Sequence, residues 1–301
     1  MGRTVLLAES GYTWREWLKQ HRGNADLLVL DPSDASHGPA ARIRVLRGEK
    51  PIFDRFYGSL DPQKSPHLLV GALIEALEAA SPNLVIQIYP YKVTPVLRQT
   101  TQLLLQLIKP DRLLVNHGFN GRLSGANEEV EIEKALPSAV QAAQRKAQWL
   151  SMIEKCEEHS VDLSETILSG SRLGAGDPIG EARKTKLGLD GAYVEVSGTT
   201  LYLVTDSGFS DDVIGTSLDV TGCSRAHFVS PGVYEGVLCS FAKVSGDDFG
   251  YGFLRSVDFV NLRAQVLCTA IPPVPVPMLK LGSLRIDEKG SELGEMKPWT
   301  V

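Results

Sequence analysis

The residues best placed to do chemistry follow the first apolar run of the chain. Thr4 to Ala8 is typical of a strand buried on both faces, and Ser10-Gly11-Tyr12-Thr13 comes directly after it. A phosphate-binding loop of the pattern Gly-x-x-x-x-Gly-Lys-Ser/Thr surrounds the β-phosphate with backbone N–H groups, and its lysine and hydroxyl contact the γ-phosphate and Mg²⁺. Gly11-Tyr12-Thr13 stands where Gly-Lys-Ser/Thr belongs. We therefore predict a degenerate nucleotide-binding loop formed by Ser10, Gly11, Tyr12 and Thr13, with tyrosine replacing the lysine.

A carboxylate follows the next predicted strand. Ala25 to Leu30 is mostly apolar and is followed by Asp31. A carboxylate at the end of such a strand can hold Mg²⁺ through water, so Asp31 is the predicted metal position. The alternative is that Asp31 and Asp34 only cap the turn after the strand.

The charge distribution differs between the two halves of the chain. The formal net charge is −5, but residues 1–150 carry 18 Lys/Arg against 15 Asp/Glu, whereas residues 151–301 carry 13 against 21. Arg42, Arg44 and Arg47 alternate with apolar residues in the first half. They are the predicted contacts for RNA or another polyanion. The alternative is a solvated edge strand that carries alternating arginines.

A polar, glycine-containing loop, residues 116–122, follows the fourth predicted strand. Ligands of open α/β sheets bind beyond the carboxyl ends of strands, and His117 and Arg122 are suited to contact a base or a phosphate. These two residues complete the predicted nucleic-acid contacts. The alternative is a structural turn with asparagines in left-handed conformations.

The order of elements predicts an α/β fold. Apolar runs typical of buried strands alternate with amphipathic helices as far as a long helix predicted over Pro137 to His159, which indicates a parallel sheet with flanking helices. Residues 169–190 are rich in Gly, Ser, Lys and Arg and lack periodicity. After them come short strands and turns, including a hairpin at Ser197-Gly198. The predicted domains are a phosphate-loop-like α/β domain at 1–168, a linker at 169–190 and a smaller β-rich domain at 191–301.

Composition excludes several classes of protein. An apolar content of 43% and a charged content of 22% are those of a globular chain, and no apolar run approaches the ~20 residues that cross a bilayer. We therefore predict no membrane partner. The four cysteines show no metal spacing or disulfide framework, which favours a cytoplasmic location.

Several segments together resemble a known family, the polyribonucleotide 5′-hydroxyl kinases. These are phosphate-loop RNA kinases, and scaffolds derived from them, of pre-mRNA cleavage, tRNA splicing and rRNA maturation. Leu28 to Asp31 resembles the family's strand that ends in an acidic motif, and Phe56-Tyr57-Gly58-Ser59 resembles the turn that follows it. Ile108-Lys109-Pro110-Asp111 is similar to the family's entry into the next strand. Leu281 to Ile286 is similar to the end of its closing β domain.

The resemblance implies ATP and Mg²⁺ as cofactors and phosphoryl transfer to RNA as the ancestral activity. The loop lacks the lysine and the first glycine of the motif, so little remains to neutralise the charge that develops on a transferred phosphoryl group. The predicted function is therefore a kinase-like pseudoenzyme that acts as a binding or scaffold protein in nucleic-acid metabolism. One alternative is an active ATP-dependent polynucleotide kinase or nucleotide hydrolase whose lysine comes from elsewhere. The other is a protein-interaction module without nucleotide whose β domain docks a protein partner.

Overall fold

The computed structural model describes residues 2–121, 123, 127–170, 173–174 and 176–296. The chain divides into two units, Met1–Gln148 and Trp149–Val301. In the described ranges, no helix is long and apolar enough to cross a membrane.

The first unit is built on one seven-stranded sheet in the order β4-β3-β2-β5-β1-β6-β7. Five strands, from β2 to β7 in this order, are parallel, and β3 and β4 extend the sheet as an antiparallel pair. The strands are β1 Arg3–Leu7, β2 Asp26–Leu30, β3 Arg42–Arg47, β4 Lys50–Phe56, β5 Leu84–Ile88, β6 Arg112–Asn116 and β7 Glu128–Val130. The predicted parallel sheet is therefore confirmed.

Helices cover both faces of this sheet. They are α1 Arg15–His21, α2 Pro66–Ala79 and α3 Pro95–Ile108; a further helix, α4 Ser138–Ile153, begins in this unit and continues past its last residue, Gln148. Leu69 and Leu104, from α2 and α3, share a buried cluster with Val5 of β1. Leu6, whose side chain points to the opposite face of β1, packs in a second cluster with Trp14 beside α1. Because both faces are buried, the central strands need continuous apolar runs, as the sequence has.

The second unit contains two sheets. The larger has the order β18-β17-β14-β15-β16-β8, and β9 pairs in parallel with β17. The smaller has the order β10-β11-β12-β13. The strands are β8 Glu157–Asp162, β9 Ile167–Gly170, β10 Asp177–Pro178, β11 Tyr193–Ser197, β12 Thr200–Val204, β13 Arg225–Val229, β14 Val237–Ala242, β15 Asp248–Asp258, β16 Arg263–Cys268, β17 Met278–Ile286 and β18 Glu292–Glu295.

The second half is rich in strands, as predicted, and the hairpin at Ser197-Gly198 joins β11 to β12. It also contains α5 Glu181–Leu187, α6 Asp211–Thr221 and a 3-10 turn at Pro231–Tyr234. The prediction of only short strands and turns after residue 190 is therefore wrong at α6, which has 11 residues. β12 and β13 are parallel, and α6 forms the crossover between them, so this unit includes a β-α-β arrangement.

Two further expectations differ from the structure. The segment 169–190, predicted as an irregular linker, contains β10 and α5, and buried Leu187 packs in a core cluster of the second unit. The helix predicted over Pro137 to His159 ends at Ile153, and Glu157 to Asp162 form strand β8, which pairs with β16. Pairing with a strand that lies a hundred residues later overrides local helical pattern.

Candidate phosphate-loop site

The predicted loop lies at the carboxyl end of β1, the central strand of the parallel sheet. β1 is bordered by β5 on one side and β6 on the other. From β1 the chain crosses to β2, on the β5 side of β1. After β5 it crosses to β6, on the opposite side of β1, so the direction of winding reverses at β1. Ligands of open α/β sheets bind at such a reversal. The loop therefore lies where this fold class has its ligand site.

Three backbone N–H groups of the loop are used inside the protein. They are those of Ser10, which donates to the carbonyl of Tyr91 at 3.1 Å, Tyr12, which donates to Glu9 at 3.2 Å, and Thr13, which donates to Glu133 at 3.1 Å. A phosphate-binding loop needs such groups directed at its ligand. Here they fold the loop onto its own neighbours.

The segment 131–135, which we call the strap, lies against the start of α1. Its carboxylate at Glu133 accepts a hydrogen bond from the Glu16 N–H at 2.7 Å, and the Ala135 N–H donates to the Gly11 carbonyl at 2.8 Å. The residue before the helix, Trp14, provides no side-chain cap. Because the first N–H groups of a helix need acceptors from outside it, the Glu133 carboxylate supplies one of them.

Lys134 of the strap lies over Tyr12. Its ammonium nitrogen, Nζ, is 3.7 Å from the centroid of the tyrosine ring, which is the geometry of a cation–π contact. The loop thus has a lysine beside the position where the motif lysine is missing. That lysine is held on the aromatic ring.

The polar loop after β6 packs over the same site. The Glu9 N–H donates to Oδ1 of Asn116 at 2.8 Å, and the Asn120 N–H donates to Oε1 of Glu9 at 3.0 Å. The left-handed conformation in this loop belongs to Gly118 (φ 71°), and no asparagine among the described residues has a positive φ. The alternative expectation of left-handed asparagines is therefore wrong.

The two predicted nucleic-acid residues of this loop have different outcomes. His117 is exposed, and its Nδ1 lies 3.0 Å from Oε2 of Glu129, a carboxylate that also accepts the Gly118 N–H. Arg122 lies outside the described residues. The role predicted for both in nucleic-acid binding stays a prediction.

Asp31 lies in a turn after β2. Its Oδ1 accepts hydrogen bonds from the Ser33 N–H at 2.9 Å and from the Ser33 hydroxyl at 2.7 Å. Burial, with the nearby charge of Asp34, raises the pKa of Asp31 to about 6, against the Ser33 hydrogen bonds. In the part of the chain that the structure describes, no group of three or more His, Cys, Asp or Glu side chains could hold a metal ion. The arrangement has the contacts of the turn-capping alternative, and the metal role of Asp31 stays a prediction.

The three predicted basic residues on β3 are each paired with a carboxylate. Arg42 and Arg44 both contact Asp54 of β4, the second at 3.4 Å. Arg47 contacts Asp26 at 3.0 Å and holds the pKa of that buried carboxyl down at about 2. β3 is also an internal strand, because β4 forms the edge of the sheet. Binding of RNA through these arginines stays a prediction, and the pairing reduces the positive charge available for it.

The sequence did not single out Glu133 or Lys134. Both lie about 120 residues after the loop, and Glu133 belongs to a short acidic stretch typical of an exposed turn. The local signal was the tyrosine itself, because an aromatic ring in place of the lysine offers a contact for a cation from elsewhere.

Comparison with known proteins identifies the class of fold. No family model matches the chain, and no curated protein matches it. Solved structures do match over most of the chain, and the fold they share with it is a mixed α/β fold with additional antiparallel sheets.

Two of the matching structures contain Clp1p with Pcf11p. The wild-type complex matches with a TM-score of 0.54 and 10% identity over 94% of this chain and 74% of that chain. A second structure, which concerns the extended interface of the two proteins and ATP loss in a point mutant, matches with a TM-score of 0.53 and 11% identity over 94% and 75%. At this identity the likeness is one of fold. The predicted fold class is confirmed, and the resemblance to the RNA-kinase family stays a prediction.

Proposed function

We propose that this protein is a binding or scaffold protein on a kinase-like fold and that it does not transfer phosphoryl groups efficiently. The observation that carries the proposal is the internal bonding of the loop. The N–H groups of Ser10, Tyr12 and Thr13 are used within the protein, and tyrosine occupies the place of the lysine. Catalysis of phosphoryl transfer depends on groups already directed at the phosphates. Few groups of this loop remain that could be directed at the phosphates of a nucleotide.

The first prediction concerns phosphoryl transfer itself. With radiolabelled ATP and Mg²⁺, the wild-type protein is expected to label a 5′-hydroxyl RNA or DNA oligonucleotide no faster than a protein-free reaction. An active polynucleotide kinase in a parallel tube shows that the substrates are competent. Robust labelling that is lost on changing Thr13→Ala or Asp31→Asn would overturn the proposal.

One observation favours a second candidate, an active kinase or nucleotide hydrolase with a rearranged site. Lys134 lies beside the position of the missing lysine, 3.7 Å from the ring of Tyr12. If the ammonium left the ring for the γ-phosphate, it would supply the missing positive charge. ATP and Mg²⁺ would then be cofactors of this protein.

The second prediction separates the two candidates by calorimetry. Under the scaffold proposal, millimolar ATP with Mg²⁺ gives no binding heat. Under the alternative, ATP binds and Lys134→Ala weakens it by about 10-fold or more, since a hydrogen bond to a charged group contributes ~1.5–3 kcal/mol. Lys64→Ala, which removes an exposed lysine elsewhere, is the matched control.

A protein partner is part of the proposal. The structures of similar fold are complexes of two proteins, which supports a role in protein association for this fold. The β-rich half was the expected docking region, and this location and a cytoplasmic setting stay predictions.

A further inference from the structure

A groove lies between α1 and residues 130–133, which include the start of the strap. All of its lining residues belong to the first unit. It encloses about 330 Å³, at the small end of the ~300–1,000 Å³ of ligand pockets. Its lining residues are Glu16, Trp17, Gln20, His21, Val130, Glu131, Ile132 and Glu133. A volume of this size suits a single long side chain.

The floor of the groove is aromatic and apolar. Trp17 is half-buried, and the imidazole of His21 stacks on it with ring centroids 5.0 Å apart and planes 16° from parallel. Trp14 meets the same indole edge-on at 5.8 Å. The indole of Trp17 therefore contacts two other rings, one stacked and one edge-on, while Val130 and Ile132 add aliphatic surface to the groove lining. A ligand would bind it without first ordering the ring, which favours binding.

The rim of the groove carries three carboxylates that differ in their contacts. Glu16 pairs with Lys19 at 2.7 Å, and Glu133 accepts the Glu16 N–H. Glu131 is exposed and, among the described residues, has no hydrogen-bonding or ionic partner. Of the three, Glu131 is therefore the carboxylate whose oxygens are open to a ligand, and it lines the same groove as Trp17.

We propose that this groove binds an arginine side chain from an extended segment of a protein partner. The aliphatic stem packs on Val130 and Ile132, the planar guanidinium stacks against Trp17, and its N–H groups reach the Glu131 carboxylate. Arginine fits better than lysine because its planar, weakly hydrated head both stacks on aromatic rings and bonds a carboxylate in bidentate fashion. RNA is disfavoured, because the carboxylates repel phosphate. The inference names the side chain by which a partner of the proposed scaffold would be recognised. It rests on the proposed function only in requiring that a protein partner exists.

The third prediction is a titration of the full chain followed by NMR. The probe is an acetylated, amidated Gly-Gly-Arg-Gly-Gly peptide, and the signal is the Trp17 indole N–H, assigned with Trp17→Phe. We expect a saturable shift at millimolar peptide and about a 3-fold weaker affinity in Glu131→Gln, because this variant loses the exposed ion pair and keeps the contact with Trp17. A peptide with citrulline, the uncharged analogue of arginine, is expected to cause no saturable shift.

The matched control is Glu78→Gln, which removes the same charge from the exposed surface of α2. It should bind the arginine peptide like the wild type. Equal affinity for the arginine and citrulline peptides, an unchanged affinity in Glu131→Gln, or displacement of the peptide by a 5′-hydroxyl RNA oligonucleotide would each overturn the inference. The titration contains no ATP, so its result is independent of phosphoryl transfer and the two proposals can fail separately.

Discussion

Replacing Gly252 with alanine is expected to lower the free energy of unfolding of the second unit by at least about 3 kcal/mol. Gly252 lies in β15 and pairs with Cys239 on one side and Cys268 on the other. A β-carbon at this position would overlap the carbonyl oxygen of Leu267 and approach the Cα atom of Cys268 to 2.8 Å. Both are backbone atoms of β16, so they can move aside only by opening the β15–β16 ladder.

The measurement is urea denaturation with hydrogen exchange resolved by peptide. We expect the backbone amides of β14, β15 and β16 to lose protection from hydrogen exchange. The amides in the sheet of the first unit should remain as protected as in the wild type. Gly215→Ala is the control, because an added β-carbon there has open space within α6. In that helix alanine should stabilise by about 0.5–1 kcal/mol. A Gly252→Ala protein with the wild-type midpoint would show that β15 and β16 are not packed as described.

The first unit was largely predictable because its local patterns agree with its tertiary environment. Leu84 to Ile88 is apolar at every position except Gln87 and forms an internal strand of the sheet, buried at every other position. The helix α3 begins at Pro95, directly after Thr94, whose hydroxyl caps it by accepting the Leu97 N–H. Lys109-Pro110 ends it, as expected for a residue that cannot continue a helix. Propensity, capping and burial all favour the same element at these positions.

α6 escaped prediction because its signals conflict. Ser210 caps its start by accepting the Val213 N–H, and Gly222 ends it with a φ of 71°. Between them lie Gly215 and several β-branched residues, which have low helix propensity. The helix forms because it connects the parallel strands β12 and β13, a constraint that no local window contains.

For the candidate site, the sequence predicted the absence of the motif lysine and the position of the loop, but not the contacts of the loop. The missing lysine could be read from Gly11-Tyr12-Thr13, and the position after the first strand placed the loop correctly at the end of β1. The contacts that the strap makes with the loop and the start of α1 could not be predicted. The bond from Glu16 to Glu133 joins residues 117 positions apart, and neither residue type nor spacing indicates that pairing.

The prediction with the most direct bearing on the site is that Asp31→Asn stabilises the protein at neutral pH. Asp31 is only 7% exposed, and burial raises its pKa from 3.8 to about 6. The folded form therefore holds the proton more tightly than the unfolded chain does. Its ionisation costs folding free energy on the order of 3 kcal/mol, at ~1.4 kcal/mol per pKa unit.

The sign and the pH window follow from these two pKa values. Below about pH 4 the carboxyl is protonated in both states and carries no penalty. As the pH rises to about 6, the unfolded chain loses its proton first, so this group lowers stability. Above pH 6 the penalty is complete. We therefore expect Asp31→Asn to be more stable than the wild type by about 2–3 kcal/mol at pH 7.5 and equal to it near pH 4.

Urea denaturation of both proteins between pH 4 and pH 8 measures this difference. Asp34→Asn is the control: it removes the like charge that contributes to the raised pKa and should stabilise by a smaller amount. A stability difference that is independent of pH would contradict the assignment of the effect to ionisation of Asp31.

The same experiment with Mg²⁺ distinguishes a turn-capping carboxylate from a metal ligand. A bound cation favours the ionised carboxylate and stabilises the folded state by mass action. If Asp31 holds Mg²⁺, then 10-fold excess over its dissociation constant adds about 1.4 kcal/mol to the wild type at pH 7.5 and nothing to Asp31→Asn. For a carboxylate that only caps the turn at Ser33, both proteins respond equally to the salt. In that case the buried charge of Asp31 destabilises the fold with no metal to offset it, a result that agrees with the proposed loss of phosphoryl transfer.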